Sequence, residues 1–509
     1  MSEKSINKFS DFLSIEMGQS PSSDNVNFEK KGLPLLNGPA EFTDRYPIPV
    51  QYSTFGNRFA NKNDILFCVR GSTTGRMNIA DQKYIIGRGL AAISHKRGGY
   101  LNSFVKGLID YNLKWLIGGT LGSVFPNLTK KQLYDYRCII PNFQTQQRIA
   151  FILSSLDDKI ELNNRINAQL ETIAKMIYNY WFIQFDFPDD NGKPYKSSGG
   201  KMVYNKELKR EIPEGWEIGK IADWIVSNKN GDWGKEQEEG NYTLKVSCIR
   251  GTDINGLNGK GELNPPERYI LQKNSSKILK PYDLIIEISG GSPTQSTGRM
   301  TYITLDSFNR FENPLICSNF CKAISLKKKE YLYNFVFLWN MLYDNKVFFG
   351  YEGKTSGIKN FLFDSFINSY LSVIPKEDIV LKFFGLMQEI EKKKQTLLTE
   401  KQCLASLRDW LLPMLMNGQV EFKETSQEQV QTTNVAAEAE VEYKLIAKNN
   451  NFHVGLKEEK KISIINLPRQ QDQRFELWLS SQGLAARGEI DKTTLRQIFN
   501  VMDEEEYGK

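Results

Sequence analysis

The chain has 509 residues, 40% of them apolar, with a net charge of +6 and a pI near 8.7. That length predicts about three folding units at roughly 100–200 residues per domain, and the mild basic excess permits an anionic partner without requiring one. No apolar run approaches the ~18–20 residues that cross a bilayer, the N-terminal MSEKSINKFSDFLSIEMG has no signal-peptide core, and a cytoplasmic protein with reduced thiols is expected. Of the six cysteines, at 68, 138, 248, 317, 321 and 403, only Cys317 and Cys321 are close, and the two histidines, His95 and His453, lie far from them, which argues against a zinc site.

Taken in chain order, residues 63–77 (NDILFCVRGSTTGRM) give an acidic residue, a continuous apolar run, a Gly/Ser/Thr-rich turn and then Gly-Arg-Met. The run predicts a strand buried on both faces, and the turn a tight loop leaving its end. After Pro141, positions 149, 152, 156, 159, 163, 166, 170, 173, 177 and 180 step by alternating threes and fours, a heptad seam with a polar interruption at Lys159 and Asn163. The aromatic run YNYWFIQFDF (178–187) reads as packing at the end of that helix, and residues 185–217, rich in Pro, Gly, Ser and charge, as a surface connection.

The pattern then recurs. Residues 282–300 (YDLIIEISGGSPTQSTGRM) repeat the acidic residue, apolar run, turn and Gly-Arg-Met. LPLLNG (33–38) parallels LKVSCIRG (244–251), GLAAIS (89–94) parallels FCKAIS (320–325), SVFPNL (123–128) loosely parallels SGIKNF (356–361), and IIPNFQTQQRIAFIL (139–153) parallels VIPKEDIVLKFFGLM (373–387). Five matches in one order argue for two copies of one module. After Pro375 a second seam follows positions 383, 387, 390, 394, 397, 401, 404, 408 and 411. Each seam is too polar for a lone coiled coil, so the two helices are expected to pair; the alternative is that each packs on its own globular core.

The predicted fold class is α/β (α+β): globular domains over 1–140 and 212–375, long helices over 141–184 and 376–420, and a connecting segment over 185–211. A low-complexity linker is expected over 421–470, where ETSQEQVQTTNVAAEAE (424–440) lies, and a small helical extension over 471–509.

Catalytic signatures are weak. Asn264-Pro265-Pro266-Glu267 has a glutamate where the base-flipping loop of amino-methyltransferases needs an aromatic ring, and reads as a proline turn. Gly353-Lys354-Thr355 has Phe348 where a phosphate-binding loop needs glycine. No donor-binding glycine turn or nuclease cluster is convincing, and two histidines make a Ser-His-Asp triad improbable.

MGQSPSS (17–23), LPLLNGPAEF (33–42), FDFP…GKPYKSSGGKMVYN (185–205) and IPEGWE (212–217), with the alternation of domain and helix over about residues 8–420, resemble the specificity subunit of type I restriction-modification enzymes. The first copy lacks the Pro-x-Gly-Trp that opens the second. The resemblance implies two target-recognition domains, each reading one half of a split double-stranded DNA target from the major groove. It implies an antiparallel coiled-coil pairing of the helices that sets the spacing between half-sites. It also implies two methyltransferase subunits and restriction subunits as partners, with S-adenosylmethionine, ATP and Mg bound by those partners and none by this chain.

Base reading needs Arg, Lys, Asn, Gln, Ser and Thr on exposed loops. The loops 70–76 and 289–299 supply Arg70, Arg76 and Arg299 for guanine or phosphate, and Thr74 and Gln295 for other base edges. Ser72, Thr73, Ser289, Ser292 and Thr294 share those loops, and Gln19, Ser20, Arg88, Arg250, Lys354 and Lys359 form a second tier. The alternative for these loops is plain turns with solvated arginines. Two other functions remain open at this stage: a methyltransferase or nuclease with fused recognition domains, and a helical scaffold that never touches DNA.

Overall fold

The computed structural model describes residues 5–118, 127–261, 263–290, 294–355 and 358–420, the side chains of Ser5, Lys354 and Thr355 apart. Ser292 and the predicted linker and C-terminal extension lie outside the described residues. Among the described residues no helix is long and apolar enough to cross a membrane. The described residues divide into two compact units, one holding those up to Asn163 together with 400–420, the other Asn164–Thr399.

In the first unit a four-stranded antiparallel sheet has the spatial order Leu13–Met17, Leu90–His95, Ile65–Cys68, Met77–Ile79. The Ile65–Cys68 strand is buried throughout because both its faces are covered. Ile65 and Phe67 pack with Phe104, Val105 and Leu108 of the helix Asn102–Gly118, whereas Leu66 and Cys68 face Leu36, Tyr84 and Ile86 of a second, five-stranded sheet. The strand Ser5–Lys8 pairs antiparallel with Arg137–Ile140, so the first strand of the module closes on its last.

The second unit repeats this plan. The strands Ile225–Asn230, Cys321–Leu326, Leu284–Glu287 and Met300–Tyr302 take the same order, and Glu217–Lys220 closes on Leu371–Ile374. The registers coincide: Cys68 faces Leu90 as Glu287 faces Cys321, and Phe67 faces Met77 as Ile286 faces Met300. The acidic residue ahead of each apolar run clasps its own turn, Asn61 N–H donating to Asp64 Oδ2 (2.8 Å) and Lys280 N–H to Asp283 Oδ2 (2.9 Å). The second unit differs in its core, where Trp339, Phe348, Phe361 and Phe366 form an aromatic cluster.

The long helices run over Phe143–Tyr178 and Glu377–Asn417. The first continues as a π-helical turn, Asn179–Ile183, where Trp181 and Phe182 are buried against Phe383. In the first unit Ile149 and Leu153 share a core with Leu411 and Leu415, Arg408 pairs with Asp157 at 3.1 Å, and Asn163 Nδ2 donates to Glu400 Oε2 at 2.8 Å. In the second, Leu170, Ile173 and Ile177 share a core with Phe383, Met387, Ile390 and Leu397, and Lys394 pairs with Glu171 at 2.9 Å. Within each unit numbers rise on one helix as they fall on the other, so the packed segments run antiparallel. The seam departs from the expected one in detail: Leu153 is buried in place of Ile152, and Lys159 lies outside it, 45% exposed and paired with Glu400.

The segment after the first helix, expected to be a surface connection, begins buried. Phe185 and Phe187 pack on Trp216, and Asp186, 3% exposed, accepts from the backbone N–H and hydroxyl of Ser197, both at 2.7 Å. All six cysteines are free thiols, and among the described residues no group of three or more His, Cys, Asp or Glu side chains could hold a metal ion.

Candidate nucleic-acid interface

The loops singled out in the sequence fall at one end of each four-stranded sheet. In the first copy the strand Leu13–Met17 leads out to Gln19 and Ser20, Arg88 leads into Leu90–His95, and the loop 69–76 joins Ile65–Cys68 to Met77–Ile79. Gln19 N–H donates to Ile86 O (2.9 Å), Arg88 N–H to Ser20 Oγ (3.3 Å) and Val69 N–H to Gly89 O (2.9 Å), which ties these chain segments together. Thr74 closes the turn by donating to Gly71 O from its hydroxyl (2.7 Å), and Thr73 lies 3.5 Å from the Cys68 thiol. Arg70, Ser72, Arg76 and Arg88 are exposed, and the three guanidiniums make no hydrogen bond or ion pair among the described residues. Exposed guanidiniums without internal partners are chemically able to donate to phosphate oxygens or guanine edges.

The second copy builds the same turn and fills it differently. Glu287 N–H donates to Arg299 O and Gly298 N–H to Glu287 O, as Cys68 N–H donates to Arg76 O and Gly75 N–H to Cys68 O. Arg299 is therefore the counterpart of Arg76, and Glu287 of Cys68. Gly75 and Gly298 both have left-handed φ, +94° and +95°, and a Cβ on Gly298 would stand 2.7 Å from the Phe348 ring.

The outcome for the two arginines is opposite. Arg299 is 17% exposed and held by Glu287, which itself is 4% exposed. Hydrogen bonds to that carboxylate, opposed by burial, push the guanidinium still further up from its ordinary range. Lys359 pairs with Glu352 at 3.0 Å and lies 4.7 Å from the Phe349 ring centre. Glu352 also accepts from Thr297 N–H (2.8 Å) and from the Ser296 hydroxyl (3.1 Å). Burial raises the Glu352 carboxyl, but the Thr297, Lys359 and Ser296 donors more than reverse this and hold it below the ordinary range. Arg250 is bound twice to Asp253, and Ser289 donates to Asn360 at 2.6 Å.

Of the second-copy candidates, Thr294 and Gln295 are exposed, Arg250, Ser289, Arg299 and Lys359 are partly buried and committed, and Lys354 lies on the strand Glu352–Thr355. Glu287 and Glu352, which hold the loop, escaped sequence reading because nothing in LIIEIS or YEGKTS distinguishes an internal anchor from a solvated acid. Trp233 and Phe320 escaped it too: only the strand register shows that they stand where the first copy has Ser20 and Gly89.

Two tandem copies of one mixed α/β module, each with a loop cluster at the same sheet end and each followed by a long helix, define a duplicated two-module protein. The type I restriction modification DNA specificity domain family matches residues 1–172. The putative type I restriction enzyme MjaX specificity subunit of Methanocaldococcus jannaschii is 38% identical over 171 residues, 33% of this chain and 39% of that protein. The MjaIX specificity subunit of the same organism is 27% identical over 309 residues, 60% of this chain and 65% of that protein. Each alignment spans less than two thirds of the relative. The crystal structure of the type I restriction-modification S subunit from M. genitalium covers 82% of this chain and 96% of its own at a TM-score of 0.50 and 14% identity, a likeness of fold. The chain is thus similar to type I restriction enzyme specificity subunits, the resemblance its motifs carry, and the family model matches residues 1–172.

Proposed function

We propose that this chain is the DNA-reading subunit of a type I restriction-modification complex: each copy of the module reads one half of a bipartite, asymmetric target. The observation that carries this is the uncommitted trio Arg70, Arg76 and Arg88 at the end of the first sheet, on loops whose backbone is fixed by internal hydrogen bonds. Fixed loops lower the entropy lost on docking, and unpaired guanidiniums lose no internal partner when they meet phosphate or guanine.

In this reading the chain supplies the address and no chemistry. Methyltransferase subunits bind S-adenosylmethionine and modify adenine, and restriction subunits bind ATP and Mg. The paired helices carry the partners and set the spacing between half-sites. The similarity to proteins named as specificity subunits favours this over a fused methyltransferase or nuclease. The test is methylome sequencing of a host carrying this chain with its methyltransferase partner. One split adenine-methylated motif that disappears on deletion of the gene is the expected result. Methyl transfer or cleavage by the purified chain alone would revive the fused-enzyme alternative.

A further inference from the structure

The two copies present different chemistry at the same end of the same sheet. Gly18 and Gly231 are equivalent: a Cβ on either would collide with the carbonyls of the neighbouring segment, Ile86 and Gly87 in one case, Cys317 and Ser318 in the other. Gln19 N–H donates to Ile86 O and Asp232 N–H to Cys317 O, both at 2.9 Å. Trp233 is therefore the counterpart of Ser20. Since Leu90 and Cys321 hold equivalent register positions, Phe320 is the counterpart of Gly89. Two small residues in the first copy are two aromatic rings in the second.

The arginines change in the opposite sense. Where the first copy leaves three unpaired, the second ties Arg250 to Asp253, Arg268 to Glu236 and Arg299 to Glu287. Beside the exposed polar Thr294 and Gln295, two aromatic rings are exposed there, Phe320 at 54% and Trp233 at 36%. The Trp233 ring and the Phe320 backbone are each held in place. The Arg268 guanidinium lies 4.1 Å from the Trp233 ring centre, and the Phe320 carbonyl accepts from Ile288 N–H (2.9 Å) and Ser289 N–H (3.2 Å), beside the recognition loop.

A single exposed ring is unremarkable on a protein surface. Two exposed rings, one stacked under a guanidinium and one on a backbone fixed beside the recognition loop, at a sheet end otherwise occupied by polar side chains call for an apolar partner. The major groove offers one apolar group, the 5-methyl of thymine. We propose that Phe320 and Trp233 form an apolar subsite that reads a thymine methyl in the half-site of the second copy. This rests on the DNA-reading function proposed above.

The test uses the full chain assembled with its methyltransferase partner and duplexes of the motif mapped by methylome sequencing. Each thymine of the second half-site is replaced in turn by deoxyuridine, which removes only the methyl. The expected result is about three- to five-fold weaker binding at one thymine position, the effect of one buried methyl group. That discrimination should vanish in Phe320→Ala or Trp233→Ala, while discrimination in the first half-site persists. Equal binding of thymine and uracil at every position, or discrimination retained in both variants, would overturn the subsite and leave the DNA-reading function standing. Failure of the wild-type complex to bind any bipartite duplex would overturn that function and the subsite with it. Neither ring belongs to the buried core, so both variants should keep wild-type thermal unfolding.

Discussion

Arg299 and Glu287 form a two-toothed ion pair, Nε to Oε2 at 2.9 Å and Nη2 to Oε1 at 2.6 Å, at the place where the first copy of the module has Arg76 opposite Cys68. One carboxylate thus decides whether the arginine of the shared Gly-Arg-Met sequence is tied internally or left exposed. Arg299→Ala would leave a buried carboxylate without its partner, and breaking such a pair costs about 3–5 kcal/mol. Its thermal unfolding should fall clearly and its DNA binding should weaken through loss of the loop. Arg76→Ala, exposed and unpaired, should leave unfolding unchanged. Equal melting behaviour of the two variants would contradict this division of roles.

Under the proposed function, Arg70, Arg76 and Arg88 can each meet either a base edge or a phosphate. Replacement of an arginine that reads a base should cost about 1–3 kcal/mol and relax specificity at one position. Replacement of one that touches phosphate should weaken every sequence alike and reduce the slope of log K against log salt by about 0.9. Titrations of the three alanine variants at several salt concentrations separate the two outcomes. Wild-type affinity, specificity and salt slope in all three would remove this loop cluster from the interface.

Much of this architecture is legible in the sequence, because the repeat is carried by apolar runs and glycine turns whose burial the fold reproduces. Ile65–Cys68 and Leu284–Glu287 were readable as strands buried on both faces since an uninterrupted apolar run has no polar side to expose. Loop chemistry was not readable. Arg76 and Arg299 have the same local sequence context, and their fates are set by a residue on the neighbouring strand, Cys68 or Glu287, whose proximity comes from register. The same holds for Trp233 and Phe320, which have no resemblance to Ser20 and Gly89. The polar break in the helix seam was visible, but that Lys394 would be buried and Lys159 exposed depends on the carboxylates opposite them.

Lys394 gives a pH-dependent prediction. It is 7% exposed and pairs with Glu171 at 2.9 Å, and Lys260 pairs with the other oxygen of the same carboxylate. Burial raises the Glu171 carboxyl, but the two ammoniums more than reverse this and hold it below its ordinary range. Burial lowers Lys394, and Glu391 and Glu171 more than reverse that, against opposition from Arg310. A depressed carboxyl contributes stability that is present above its unfolded value of about 4.3 and is lost as pH falls through the folded value. A raised ammonium contributes stability that is present below about 10.4 and is lost as pH rises through the folded value. Lys394→Met should be less stable at neutral pH by about 3–5 kcal/mol, and the deficit should shrink on acidification as the stranded carboxylates take up protons. Denaturant unfolding at several pH values reads this directly; a deficit independent of pH would show that the pair carries no net charge interaction.

The helices Phe143–Tyr178 and Glu377–Asn417 are 36 and 41 residues long, about 54 and 62 Å at ~1.5 Å per residue. That exceeds one turn of duplex DNA, about 34–36 Å, so helices of this length can separate two half-sites by several unspecified base pairs. If helix length sets the gap, inserting one heptad in each helix should lengthen it without altering either half-site. The insertion points follow from the pairing: after Asn163 in the first helix and before Glu400 in the second, whose side chains are hydrogen-bonded at 2.8 Å. Seven residues keep the apolar seam in phase and add about 10 Å, at most about three base pairs at ~3.4 Å each. Helix tilt and DNA bending should reduce the observed change. Methylome sequencing of a strain carrying the lengthened chain should show the same two half-sites with a wider gap. A folded, methylation-competent variant that kept the original spacing would show that the helices do not set it, and that the gap is fixed by the recognition domains or by the partner subunits.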